Sequence, residues 1–338
     1  MHDAKEQGLS KASPAPAEPR STPWWLWPHV LSLEAPLVAV LWQRVLAHAH
    51  GIRLTPMLDA GLALACWVIY VIDRTLDTFA VKNAAELDVR HAFYHRHRRV
   101  VMFAVVPVAL SILAWMALFV IPEGVLWQAG GLSLLVALYL ASWSAQGSRA
   151  SRDFLISCAG LGGIMLITRM PAPAGFRLTL CLLVLAVMVL TFLRQLDLRL
   201  GHLLPKEFAA ALLFALGCTT STRFLAMPEN VLDPVLECLL LAAVFACNLH
   251  GIAMREKEPA SQTGHTALVI GSLLFALSLL RYIDSGALEH ALRGPAQAAA
   301  AAIVLHAVVH GFSRRVSAEA HRVLADLALI VPLPLAWL

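Results

Sequence analysis

Tyr70-Val71-Ile72-Asp73-Arg74-Thr75-Leu76-Asp77 closes an apolar run that starts near residue 57. A bilayer crossing takes about 20 apolar residues, and this run supplies them. Asp73 and Asp77 are spaced i,i+4, so a helix turns both carboxylates to one side, ~6 Å apart along its axis. Ionisable groups at membrane depth are costly and usually face the interior of a bundle. Two such carboxylates suit a hard cation such as Mg2+, which takes oxygen ligands and bridges to phosphate. The pattern equally suits an interfacial Asp73–Arg74–Asp77 network that ends a helix, and spacing alone admits both readings.

The rest of the chain has the same character. Of its 338 residues 59% are apolar and only 14% charged, against about 25% charged in ordinary soluble domains. The mean hydropathy is +0.71. A soluble fold cannot cover so much apolar surface with so few charges, which excludes a typical cytosolic enzyme, a disulfide scaffold and a disordered chain. Ten further apolar segments are present, at about 28–48, 100–121, 125–145, 153–170, 176–196, 206–226, 232–254, 264–283, 295–312 and 321–338. The expected fold is an all-α integral membrane bundle of about nine to eleven helices, with the lipid bilayer as its surroundings.

Charge places the two sides. Loops after even-numbered spans carry fourteen Lys and Arg, and loops after odd-numbered spans carry six. The positive-inside rule then makes the even loops and the N-terminus cytoplasmic, in a bacterial inner membrane. Residues 1–22 are rich in Ala, Pro and Ser and read as a disordered cytoplasmic tail ahead of a polytopic domain over 23–338. They lack the apolar stretch of a signal peptide. Trp24, Trp25 and Trp27 suit a membrane interface. A net charge of +4 with no basic stripe argues against a nucleic-acid partner. The six cysteines lie inside apolar segments without a CxxC and read as buried thiols.

Other polar groups inside or beside the spans are candidates. The loop after span 2 holds Lys82, Arg90, His91, His95, Arg96, His97, Arg98 and Arg99, which suit either a polyphosphate or a simple charge anchor. Asn248, Arg255, Glu256 and Lys257 cluster at the same end of span 8. Asn248 and Glu256 are ~12 Å apart along a helix and cannot chelate one ion together, but could address opposite sides of a diphosphate. Asp197 ends span 6 as an anchored helix end. His306 and His310 are spaced i,i+4 in span 10, and the remaining intramembrane histidines read as too scattered to complete a metal or haem site with them. A 54-residue repeat relates Arg152-Asp153-Phe154, Gly163 and Thr168-Arg169 to Lys206-Glu207-Phe208, Gly217 and Thr222-Arg223.

With these pieces placed, the chain resembles the UbiA-type intramembrane prenyltransferase superfamily. Those proteins are helical bundles, typically of nine spans, with two motifs of the form N-x-x-x-D-x-x-x-D at the cytoplasmic ends of spans two and six. Asp73 and Asp77 fall on both Asp positions of the first motif, with Ile69 at the Asn position. Asn248 and Glu256 fall on the outer positions of the second, with Ile252 in the middle. A rival alignment uses Asp197, because Asp197-x-x-x-Gly201-His202-Leu203-Leu204-Pro205 is similar to the family's D-x-x-x-G-x-x-T-L-P. The resemblance spans about 28–338. It implies Mg2+ held by Asp73, Asp77, Asn248 and Glu256, and a prenyl diphosphate bound by Arg74, Lys82, Arg90, Asn248, Arg255 and Lys257. It also implies catalytic roles for Asp73 and Asp77, with Tyr70 orienting a carboxylate or facing the allylic cation. Transfer would go to a lipophilic or aromatic acceptor. Since Ile69 and Ile252 offer no oxygen, two other classes stand beside it: a non-catalytic isoprenoid- or quinone-binding or scaffolding protein of the same fold, and a small-molecule transporter. The resemblance further implies a central apolar cavity lined by Asp73, Asp77, Asn248 and Glu256.

Overall fold

The computed structural model describes residues 23–79, 89–143, 156–157, 160–161, 163–165, 167–169, 174–195, 205–226, 232–256, 262–286, 288 and 290–337. Every regular element among them is helical. In chain order they are α1 (Trp27–Val30), α2 (Glu34–Ala49), α3 (Pro56–Phe79), α4 (Val89–Val100), α5 (Val106–Phe119), α6 (Glu123–Trp143), α7 (Ala174–Gln195), α8 (Lys206–Ala226), α9 (Leu232–Glu256), α10 (Gln262–Asp284), α11 (Arg293–Gly311) and α12 (Ala318–Ile330). Eight helices among the described residues are long and apolar enough to cross a membrane. Many carry large apolar side chains on their outer faces, such as Phe103, Trp115, Leu118 and Phe119. Such outward faces need lipid rather than water around them. The protein is an all-α membrane bundle.

The first expected span is broken. Trp24–Val30 and Glu34–Ala49 meet at 74°. Ser32 sits at the bend with φ 55°, a left-handed conformation uncommon for a residue with a Cβ. Its hydroxyl bonds the Tyr94 hydroxyl at 3.2 Å, which anchors the bend to α4. Trp67 Nε1 donates to the Leu31 carbonyl at 2.9 Å and ties it to α3 as well.

The basic stretch expected as a loop is helical from Val89 onward. α4 runs through the five-residue π-helical segment Val101–Val105 into α5. Pro107, at the start of α5, lacks an N–H and crowds the preceding turn, and a widened turn relieves both. Of the fifth expected span only fragments are described, and Arg152, Asp153 and Phe154 of the repeat's first copy lie outside the described residues. Residues 176–196 belong to α7 as far as Gln195.

α9 is the central post, packed against α8, α10, α11 and α12. Its Phe245 meets Trp42 of α2 and Phe214 of α8 edge-on, with ring centres 6.2 and 4.7 Å apart. These rings sit in a core of alanines and cysteines, including Ala211, Ala215, Cys218 and Cys247, whose small side chains let the helices approach closely. All five described cysteines are free, and the apolar burial expected for them fits four, with Cys181 half-buried. At one end of the bundle Arg44 donates two bonds of 2.9 and 2.7 Å to Asp59 and clamps α2 to α3. The polar residues of interest all gather at the opposite end, where α3, α9 and α11 finish and α2, α8, α10 and α12 begin.

Candidate functional site

A cavity of about 600 Å³ runs along α3, which lines it from Leu58 to Asp77. Nineteen helical residues separate these ends, ~28 Å at 1.5 Å per residue. Most of the wall is apolar and comes from α3, α5, α6, α8 and α9. The charged groups collect at one end, with His91 of α4 beside them: Asp73, Arg74 and Asp77 from α3, and Lys206 and Glu207 from α8; neutral Gln43, Ser133, Thr220 and Ser221 line other parts of the wall. Three carboxylates and two permanent cations therefore share one mouth.

α3 builds its share of this end by satisfying its own hydroxyls. Thr75 Oγ1 donates to the Val71 carbonyl and Thr78 Oγ1 to the Thr75 carbonyl, each at 2.7 Å, and both residues are fully buried. The carboxylates on the other face remain available for charged partners. Lys206 opens α8 just after Pro205, a helix-starting position that projects its ammonium toward α3. Its Nζ lies 3.5 Å from Asp73 Oδ1 and 3.8 Å from Asp77 Oδ2. The pair thus shares a cation supplied 133 residues away. Tyr70 lines the cavity one turn inward of Asp73, its ring edge-on to Phe214 with centres 6.3 Å apart. Tyr139 of α6 lines the same wall.

No family model, no curated protein and no solved structure matches the chain. The site must be read from its own chemistry.

Tyr70, Asp73, Arg74 and Asp77 are brought together at the cavity. Arg90 is buried in α4, beside the cavity-lining His91 but not itself on the wall. Asn248 corrects the expectation of a shared wall. α9 shows the cavity Leu249, Ile252 and Ala253, whereas Asn248 is buried and donates from Nδ2 to Asp326 Oδ1 at 3.0 Å. Helical register on a crowded post, with α12 on one side, turns the amide away from the Asp73–Asp77 pair. Arg255 is likewise engaged elsewhere: its Nε donates to the Ser313 carbonyl at 3.2 Å, fixing the end of α9 to the turn before α12. Glu256 ends α9 one turn beyond Ile252 and Ala253, but its side chain lies outside the described residues, as do Lys82, Asp197 and Lys257.

Two polar assemblies at this end escape a reading by spacing. In the first, His29 Nδ1 and Glu34 Oε1 are 2.9 Å apart, and ligand atoms of His29, Glu34 and Asp326 all lie within 4.8 Å of one another. With Asn248 they join α1, α2, α9 and α12. The available sequence signal was a lone Asp326 inside an apolar span, which by cost alone marks a buried partner. In the second, histidines expected to be scattered are gathered. His250–His265, His265–His310 and His310–His321 have ring centres 5.4, 4.2 and 6.2 Å apart. These four rings come from α9, α10, α11 and α12.

Proposed function

We propose that this chain is a UbiA-like intramembrane prenyltransferase that takes a prenyl diphosphate as donor. The observation that carries the reading is the cavity: one long apolar chamber with paired carboxylates and cations confined to a single end. An isoprenoid diphosphate has the same division, a long apolar chain ending in a compact polyanion. The chain would lie along α3 and the diphosphate at Asp73, Asp77, Arg74 and Lys206.

The donor set fits Mg2+, which is commonly held by one or two carboxylates together with substrate phosphates. Asp73 and Asp77 would hold it, and the Lys206 ammonium 3.5 and 3.8 Å from their oxygens supports a local charge that favours cations. When bound, Mg2+ would neutralise charge on the diphosphate leaving group. The protein's own groups do the rest. Arg74 and Lys206 compensate phosphate charge. Tyr70 lines the cavity next to the point where apolar wall gives way to charge, where its ring would stabilise an allylic cation. The apolar walls exclude water that would otherwise capture that cation.

Lys206 also favours a second reading. An internal ammonium already pairs with the two carboxylates, so the cavity could hold an isoprenoid or quinone with neither metal nor turnover. Incubation with geranylgeranyl diphosphate, Mg2+ and a lipophilic phenolic acceptor separates the two. Pyrophosphate release and a prenylated acceptor, both lost in Asp73→Asn/Asp77→Asn, are expected for the transferase. Stabilisation by geranylgeraniol without Mg2+, and no pyrophosphate with any donor, would instead mean a binding protein.

A further inference from the structure

We infer that His29, Glu34 and Asp326 form a binding site for a first-row transition-metal dication, with Zn2+ the fitting ion and Asn248 beside it as a further oxygen donor. None of the four lines the cavity, so the site stands apart from the Asp73–Asp77 mouth and from the reading of that mouth.

The convergence of three ligands carries this. One ligand atom from each of His29, Glu34 and Asp326 lies within 4.8 Å of the other two. Bonds to Zn2+ from imidazole and carboxylate are about 2.0–2.2 Å, so neighbouring ligands on one ion stand ~3–3.5 Å apart. His29 Nδ1 and Glu34 Oε1, at 2.9 Å, are already near that spacing. Closing Asp326 onto an ion beside them asks for a side-chain movement of ~1–2 Å. The backbone is bent to make the meeting. His29 and Glu34 stand on either side of the 74° break, with Ser32 between them at φ 55°. On one straight helix, residues five apart would point ~140° away from each other.

Two buried atoms at the cluster lack partners. His29 is 4% exposed, its Nδ1 faces Glu34, and its Nε2 meets no hydrogen-bond partner among the described residues. With Nδ1–H donating to Glu34, Nε2 keeps a bare lone pair, the form in which histidine binds metals. Asn248 is 5% exposed and donates from Nδ2 to Asp326 Oδ1 at 3.0 Å. Its own Oδ1, on the same small planar group, meets no donor among the described residues. A bare carbonyl oxygen beside two carboxylates adds to a negative potential that a cation relieves. Glu34 and Asp326 repel at this range, and Arg90 of α4 offsets part of that repulsion.

The donor set selects the ion. Imidazole suits zinc and its neighbours, whereas Mg2+ and Ca2+ take oxygen ligands. The Glu34 side chain is 19% exposed, which gives an ion an entry. Occupied, the site would tie the bent pair α1 and α2 to α9 and α12.

The test uses tag-free, full-length, detergent-purified protein, stripped with chelator and dialysed against Zn2+. Bound zinc is counted by mass spectrometry, and melting curves are recorded with and without Zn2+. About one equivalent should remain on the wild type, on Asp73→Asn/Asp77→Asn and on His265→Gln, and Zn2+ should raise their melting temperatures. His29→Gln and Asp326→Asn should each bind about tenfold or more weakly and lose the shift, since even a supporting group of a metal site is worth that much. Asp326→Asn keeps an acceptor for Asn248, so it decides the matter if His29→Gln does not fold. No retained zinc on the wild type, an equivalent that survives Asp326→Asn, or one lost only in His265→Gln or in Asp73→Asn/Asp77→Asn would each overturn the assignment.

Discussion

Lys206 Nζ lies 3.5 Å from Asp73 Oδ1, joining the first turn of α8 to the last turns of α3 at the mouth of the cavity. The contact gives the carboxylate pair a resident cation and sets the charge that an incoming ligand meets. Two oxygen acids on one helix face repel, and one ammonium between them offsets much of that cost.

Lys206→Met should therefore lower the melting temperature. Two unit charges ~4 Å apart attract by about 4 kcal/mol at an effective dielectric near 20. Lys206 is about one-third exposed, so desolvation and screening reduce the net loss to about 1–2 kcal/mol. Diphosphate binding should weaken about tenfold, the equivalent of 1.4 kcal/mol. Lys206→Arg should restore most of both. Thermal melts and pyrophosphate titration of the three proteins check this.

Asp326 should be structural in its hydrogen bond to Asn248. Asp326→Leu leaves the buried Asn248 amide unpaired and should cost about 1–3 kcal/mol, whereas Asp326→Asn keeps an acceptor oxygen and should cost less. Equal melting temperatures for the two variants would show that the bond contributes little.

Gly294 lies where α11 meets the C-terminal turn Leu333–Trp337. An added Cβ would stand 2.6 Å from the Ala336 carbonyl oxygen and 3.1 Å from its Cα. Backbone cannot rotate aside as a side chain does, so Gly294→Ala should cost about 1–3 kcal/mol. Gly271→Ala, with nothing within 4 Å of its added Cβ, should be neutral or slightly stabilising. The two melting curves compared side by side test the packing of the chain end.

Gly61 faces the cavity far from Asp77, with Ile121 Cδ1 3.4 Å and Met116 Cε 3.5 Å from an added Cβ. Gly61→Leu should fill that end. Affinity for a long prenyl diphosphate should fall about tenfold or more, while pyrophosphate alone binds as before. A loss that is equal for every chain length would place the isoprenoid tail elsewhere.

The membrane bundle and the Asp73–Asp77 pair were legible because both rest on local signals, apolar run length and i,i+4 spacing. Lys206 was visible only as a loop cation, since its partner is 133 residues away. Asn248 was selected by spacing within its own helix, but packing of α12 against α9 decides where the amide points. Asp326 and the four histidines come from helices whose mutual rotation no linear pattern encodes. The first span read as continuous, because the bend at Ser32 is fixed by distant partners in α3 and α4 rather than by a Gly. The basic stretch read as a loop, because Arg90 and the unbroken run His95-Arg96-His97-Arg98-Arg99 put basic groups on every face of α4 and leave no clean apolar period.

The most direct measurement is the thermal shift of the purified protein with geranylgeranyl diphosphate, with and without Mg2+, beside Asp73→Asn/Asp77→Asn. At 100 times its dissociation constant a ligand stabilises by about 2.7 kcal/mol, which a melting curve resolves. The account predicts a shift that needs both Mg2+ and the Asp73–Asp77 pair. A shift that is indifferent to Mg2+ and to the double variant, or no shift at any chain length, would contradict it.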